Sequence, residues 1–186
     1  MAAQALSAKM KPPETFELPH LRLRRPLSSD AEAVFEYGSD PEVARFADWP
    51  VRTSIDGLAE SLLARAARWD AGEDFYWIFT RADDDRAIGG ISCQITGDSA
   101  EIGFLLARRH WGKGWATDAT KAVAGWARSC LALNRLHATC DAENLASARV
   151  LEKAGFSLEC RLPRAVIRPN LSPDPRDALM FSLALR

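Results

Sequence analysis

The spacing of apolar residues changes its period along the chain, and each change marks a change of element. Leu21 and Leu23 alternate with Arg22 and Arg24, the pattern of an edge strand, and Pro26 closes it. Ser28, Ser29 and Asp30 then offer helix caps ahead of Ala33, Val34 and Tyr37, which begin a short amphipathic helix. A second short helix is predicted over residues 41–46. A third is capped by Ser54, carries Ile55, Leu58, Leu62, Leu63, Ala66 and Trp69 at helical spacing, and stops at Gly72.

From Phe75 the period becomes two. Phe75, Trp77 and Phe79 alternate with Tyr76, Ile78 and Thr80, and Asp83, Asp84 and Asp85 form a turn. Ile91, Cys93 and Ile95 continue the alternation to a second turn at Gly97 and Asp98, and residues 101–106 form the next strand. Residues 75–106 are therefore predicted as a three-stranded antiparallel meander. Helical spacing returns in Trp115, Ala119, Ala122, Val123, Trp126, Ala127 and Cys130. Leu136, Ala138 and Cys140 then alternate as a strand. Asn144 caps a helix ending at Ala154, with Gly155 placed to take a left-handed backbone. Residues 156–160 and 178–185 read as the last strands, and the four prolines within 162–176 read as a long loop. Residues 1–19, with Pro12, Pro13 and Pro19 and few bulky apolar residues, read as a flexible arm ahead of one α+β domain over 20–186.

Composition narrows the function classes. The chain has 186 residues, 47% apolar and 26% charged, with a formal net charge of −1, which gives no basis for nucleic-acid binding through charge. No apolar run approaches the ~18–20 residues of a membrane span, and no signal-peptide pattern opens the chain, so a cytoplasmic protein is expected. The near-neutral sum hides an asymmetry. Residues 1–100 carry 11 basic and 17 acidic side chains, whereas residues 101–186 carry 13 and 8. Cys93, Cys130, Cys140 and Cys160 fit no zinc spacing, and with three scattered histidines no metal is expected; the thiols read as small buried hydrophobes.

The segment richest in chemistry runs from Arg108 to Thr117: Arg-Arg-His-Trp-Gly-Lys-Gly-Trp-Ala-Thr. It leaves a strand and enters the long helix. Gly112 and Gly114 let the backbone turn its N–H groups inward, the helix start adds unpaired donors, and Arg108, Arg109 and Lys113 add charge. Such a turn holds a phosphate or pyrophosphate. It is neither a Walker loop nor G-x-G-x-x-G.

Arg109-x-x-Gly112-x-Gly114 resembles the Q/R-x-x-G-x-G/A loop of the GNAT acyltransferase superfamily. Glu101-Ile102-Gly103-Phe104 resembles the strand that precedes that loop. Asn144-x-x-Ser147 followed by Glu152-Lys153-x-Gly155-Phe156 resembles a signature of the RimJ/RimL-like branch, which includes ribosomal-protein N-terminal alanine acetyltransferases. The opening Leu21 to Pro26 and Asp40-Pro41-Glu42-Val43 are similar to that branch as well. The resemblance spans roughly residues 21–185.

The resemblance implies a GNAT fold: a mixed, mostly antiparallel twisted sheet of about seven strands flanked by helices, with a V-shaped opening between the strands at 101–106 and 136–140. It implies acetyl-CoA as co-substrate and no metal. The backbone of Phe104, Leu105 and Leu106 would pair with the pantetheine. Arg109, His110, Trp111, Gly112, Lys113, Gly114, Trp115, Ala116 and Thr117 would wrap the pyrophosphate, and Asn144 and Ser147 would lie near the thioester. Glu101 is the candidate base, against a reading as a solvated strand carboxylate. Ser147 is the candidate acid, against a helix serine bonded to its own backbone. Many family members have a tyrosine four residues after the Ser147 position; here it is Leu151. Asp118 stands where the branch usually has glutamate.

The implied activity is transfer of an acetyl group to a primary amine, leaning to a protein or peptide N-terminal α-amine. The alternatives are a small-molecule or antibiotic acceptor, or a non-catalytic acyl-CoA-binding module. A magnitude favours the α-amine. With a pKa of about 7.7–8.0 it is about one quarter neutral at pH 7.4, whereas a lysine at about 10.4 is neutral to roughly one part in a thousand. The acceptor pocket is expected from residues 40–75, the segment after Cys160 and the hairpins, with Trp49, Trp69 and Trp77 as candidate lining.

Overall fold

The computed structural model describes residues 11–130 and 133–185. Eight strands form one sheet: β1 (Thr15–Glu17), β2 (Leu21–Arg24), β3 (Asp74–Arg81), β4 (Asp84–Thr96), β5 (Ser99–Leu106), β6 (Arg135–Asp141), β7 (Ser157–Arg168) and β8 (Ser172–Ala184), in the order β1-β2-β3-β4-β5-β6-β8-β7. The described helices are α1 (Ala31–Gly38), α2 (Pro41–Ala44), α3 (Leu58–Ala71), α4 (Trp115–Ser129) and α5 (Leu145–Lys153). The predicted meander is β3-β4-β5, with its turns where the sequence puts them.

Alternation along the strands feeds two apolar layers. Trp77, Phe79, Ile91, Cys93, Ala100, Ile102, Leu136, Ala138 and Phe181 face α4 and α5 in the larger core. Ile78 and Ala87, with the half-buried Tyr76 and Leu105, face α1 and α3 in the smaller one. Trp69 and Trp77 belong to the larger core, 4.8 Å apart edge-to-face, and are packing residues rather than pocket lining.

The expected arm is ordered where it is described. Trp77 Nε1 donates to the Pro13 carbonyl at 2.9 Å, Phe16 packs edge-on against Trp77, and Thr15–Glu17 pairs with β2 as an additional edge strand. Residues 1–10 of that arm lie outside the described residues. A buried indole needing a hydrogen-bond acceptor ties this segment down.

Three further expectations change. The loop expected over 162–176 is a hairpin, because β7 runs to Arg168 and β8 starts at Ser172. Its prolines avoid the ladder. Pro163 is on the outermost strand, Pro169 is in the turn, and Pro173 and Pro175 lie on β8 beyond Ala178, where its pairing with β6 ends. Arg164, at φ 49°, and register shifts along β7 absorb the irregularity. The third helix starts at Leu58, later than Ser54 suggests. Ser54 spends its hydroxyl on Asp56, and Gly57 at φ 73° makes the turn instead. Asp30 stands at the N-cap position of α1 but spends its carboxylate elsewhere: it is buried, held by Arg24 through bonds of 2.7 and 2.9 Å, and accepts from Leu27 N at 2.8 Å at the start of a 3-10 turn.

Of the thiols, Cys93, Cys130 and Cys140 are buried, and burial pushes each of them up. Cys160 is exposed on β7, so it does not serve as core. No helix among the described residues is long and apolar enough to cross a membrane.

Candidate active site

Every strand contact in the sheet is antiparallel except that of β5 with β6. That parallel contact holds Ser99 to Arg135, Ala100 to Leu136 and Glu101 to His137, and ends there. Beyond Glu101, β5 continues paired only to β4 and β6 only to β8. The two strands therefore splay, and each turns an unpaired backbone edge to the opening. This is the V-shaped opening predicted at 101–106 and 136–140, with Glu101 at its apex.

Alternation decides which groups of β5 face it. Ala107 N–H donates to the Ile88 carbonyl of β4, so Leu105 also directs its peptide groups to β4, while Phe104 and Leu106 direct theirs to the opening. The Leu106 carbonyl already accepts from Trp111 Nε1 at 2.7 Å. An extended ligand laid along this edge would meet Phe104 first. Leu105, included by sequence in the same edge, instead packs its side chain into the smaller core.

At the end of β5 a short 3-10 turn, Arg108–His110, leads through Gly112 and Gly114 into α4. Gly112 has φ 75° and Gly114 φ 82°. A Cβ at either would meet nothing within 4 Å, so glycine is required there by backbone conformation and not by space. The N–H groups from Gly112 to Thr117 make no hydrogen bond among the described residues, and the first helical bond of this end runs from Asp118 N to Gly114 O. A continuous run of free donors at a helix start fits a pyrophosphate.

The side chains of the loop play more local parts. The His110 ring is buried and stacked on Trp115 with centroids 5.0 Å apart, and its Nε2 accepts from Arg109 Nε at 3.2 Å. Desolvation, with help from the neighbouring Arg109 and Lys113, lowers its pKa and keeps it neutral. Lys113 Nζ lies 4.8 Å over the Trp115 ring. Trp111 is exposed, whereas Ala116 and Thr117 are buried at the start of α4. Arg109 is paired with Glu36 of α1, which also accepts from Arg86 at 2.5 Å. Those two arginines hold the Glu36 carboxyl below the usual carboxylate range.

The other arm of the opening ends at α5. Asn144 is its N-cap, and its side-chain oxygen accepts from Ser147 N at 3.1 Å. That carboxamide oxygen is thus used to start the helix. The half-buried Ser147 makes no side-chain hydrogen bond among the described residues, so its hydroxyl is uncommitted. Leu151 is 1% exposed and belongs to the larger core, which explains an apolar residue there. Both tyrosines are remote: Tyr37 and Tyr76 sit in the layer under α1 and α3.

On the sheet face opposite α4, a cavity of about 520 Å³ opens at the apex. Ser92, Gln94, Glu101 and Gly103 form its floor, Thr139 one wall, Asp48 another, and the β7 segment from Leu162 to Arg168 its side. Glu101 is half-buried. Asn170, in the β7-β8 turn, fastens the cover: its Nδ2 donates to the carbonyls of Ala44 at 2.7 Å and Trp49 at 2.9 Å, and its Oδ1 accepts from Val51 N at 2.9 Å. Glu101 lines this cavity; Asn144 and Ser147 do not. Arg168 and Asn170 lie in the segment after Cys160 from which the pocket is expected, but no local pattern singles out either residue.

An open mixed sheet splayed at one parallel pair, with a donor-rich turn entering the following helix, defines an acyl-CoA-dependent transferase architecture. The family model described as "Acetyltransferase (GNAT) domain" matches residues 20–157, and the chain belongs to that family. It is an N-acetyltransferase of the GNAT type. It is 32% identical over 146 residues to a Bacillus subtilis relative carrying the name "Uncharacterized N-acetyltransferase YoaA", covering 77% of this chain and 82% of that one. Its fold is similar to that of the ribosomal-protein-S5-alanine acetyltransferase of Vibrio fischeri (24% identity, TM-score 0.79, 91% and 96% of the two chains). It is also similar to RimL, a ribosomal L7/L12 α-N-protein acetyltransferase solved with coenzyme A (20% identity, TM-score 0.81, 92% and 98%).

Proposed function

We propose that residues 20–186 form one catalytic domain that transfers acetyl from acetyl-CoA to the α-amine of a protein or peptide N-terminus. The observation that carries this is the position of Glu101, at the apex of the opening and in the floor of a cavity wide enough for a chain end. The RimJ/RimL-like motifs and the fold neighbours that act on ribosomal-protein N-termini support the same choice of acceptor.

Acetyl-CoA would supply the activated thioester carbonyl. The free N–H groups of Gly112 to Thr117 would hold its pyrophosphate, and the outward peptide groups of Phe104 with the Leu106 N–H would align its pantetheine as an added strand. Glu101 accepts the proton that the attacking amine must lose, through a water in the cavity. The Ser147 hydroxyl donates a proton to the departing thiolate, a role open to it because nothing else engages it. No metal enters the proposal.

Incubation with acetyl-CoA and a panel of N-terminal peptides, lysine side-chain peptides, small amines and amine antibiotics, following free thiol, tests this. Turnover should be fastest with α-amines of peptides. Preference for a small amine or antibiotic would move the acceptor class, and tight CoA binding without any turnover would leave a binding module.

A further inference from the structure

Arg168 ends β7 and lines the cavity together with Glu101 and Asp48. Its guanidinium is poorly used by the protein. Its one side-chain hydrogen bond among the described residues runs from Nη1 to the carbonyl of its own neighbour, Ile167, at 3.3 Å. Its Nε is buried without a partner, and no carboxylate of the described residues lies within ion-pairing distance. Asp141, whose charge it feels, is taken up by Arg176 at 2.8 Å. A buried donor left without an acceptor is destabilising, and a guanidinium is the side chain best shaped to bind a planar oxygen pair.

The surroundings hold the Arg168 backbone in place. Leu171 N closes the turn on the Arg168 carbonyl at 2.9 Å. Two residues on from Arg168, Asn170 locks that turn to the segment between Ala44 and Val51. The register shift between Val166 and Arg168 alters the side-chain alternation where the strand passes the cavity. One cavity thus presents a carboxylate at its floor and, on a fastened turn at its side, a guanidinium with no ion-pair partner among the described residues.

We infer that Arg168 binds a carbonyl or carboxylate oxygen of the acceptor, adjacent to the amine that Glu101 receives. The substrate class is then the α-amino carbonyl compounds, not amines in general. This rests on the reading of Glu101 and the cavity as the acceptor side. A peptide N-terminus supplies the oxygen as its first peptide carbonyl, and a free amino acid supplies it as a carboxylate.

Arg168→Gln and Arg168→Lys are compared with the unmodified chain on a tetrapeptide amide, a free amino acid and an alkylamine of similar size without oxygen. In Arg168→Gln, kcat/KM should fall at least about tenfold, close to 1.4 kcal/mol, on whichever oxygen-bearing acceptor the unmodified chain uses. The alkylamine and the KM for acetyl-CoA should be unmoved, and Arg168→Lys should recover part of the loss. The ratio of peptide to amino acid in the unmodified chain tells the two sources apart. An equal fall on all three amines, or no fall, overturns the inference.

If the unmodified chain turns over none of them, the proposed function fails, and binding still reads Arg168. Calorimetry with the Nα-acetylated tetrapeptide amide and with an N-alkylacetamide should show a preference for the former that Arg168→Gln abolishes. Equal affinities in the unmodified chain overturn the inference. Thermal melting of each variant establishes that it is folded.

Discussion

The two sides of the opening are built in opposite ways. On one side, the turn from Arg108 into α4 offers backbone N–H groups contributed by consecutive residues, and its side chains are mostly engaged with one another. On the other, the cavity offers side chains from β4, β5, β6, β7 and the segment holding Asp48, drawn from across the chain. On the proposed function, the first would hold a group that never varies, so it can be made of backbone. The second would face the molecule that differs between enzymes, so replaceable side chains on a hairpin and a covering segment suit it.

That contrast is open to direct test. The largest effect belongs to the apex: Glu101→Gln should lower kcat by about 10²–10⁴-fold while the Kd for CoA stays within twofold, measured by thiol release and calorimetry. A loss of CoA affinity of similar size would make Glu101 part of the donor side. Next comes Gly114→Val. Its φ of 82° is strained for a β-branched residue, at a cost of order 1–3 kcal/mol, although the space around it is open. The KM for acetyl-CoA should rise about tenfold or more, with the acceptor KM unchanged.

Asn170→Ala removes three hydrogen bonds between the β7-β8 turn and its cover. At about 0.5–1.5 kcal/mol each, and about 2–4 °C per kcal/mol for a domain of this size, the melting temperature should fall by roughly 3–18 °C. The acceptor KM should rise severalfold and that for acetyl-CoA should not. The smallest effect separates Arg109 from its partner. Arg109→Ala should raise the KM for acetyl-CoA a fewfold and more than that for the acceptor, because its pair with Glu36 is exposed and weak. Glu36→Gln should lower that KM by releasing Arg109; a rise instead would show that the pair positions Arg109 and does not compete for it.

The asymmetry of charge between the halves is consistent with this division, since the basic half holds Arg108, Arg109 and Lys113 and the acidic half holds Asp48. The sheet overrides a simple partition, however: Glu101 and Arg168 come from the basic half and face Asp48 across one cavity. Arg109, the strongest side-chain candidate in the turn, is held by an acid from the other half.

Much of this was legible because it is local. Period-two alternation from Phe75 to Leu106 and period-3.6 spacing from Trp115 to Cys130 depend only on which face is buried. Gly112 and Gly114 stand at a turn and Gly155 past a helix end, where glycine suits a left-handed backbone, and all three have positive φ. Asn144 caps its helix with its own side chain. What misled was equally physical. Prolines between Leu162 and Arg176 signal a loop, yet none of them enters the β7-β8 register, and the outer edge of β7 and the overhang of β8 have no second neighbour, so the hairpin tolerates them. Trp77 needed an acceptor for its indole and found Pro13, which no local pattern announces.

The sequence by itself determined most of the elements and the donor-rich turn, since each is set by residues within one or two turns of the chain; Glu101 became a candidate only through the family resemblance. Only the tertiary structure decided where β5 parts from β6, which peptide groups face the gap, and that Arg168 lines the cavity while Asn170 fastens the turn beside it. Those follow from which strands lie side by side, and hydrogen bonds spanning more than a hundred residues leave no period in the sequence.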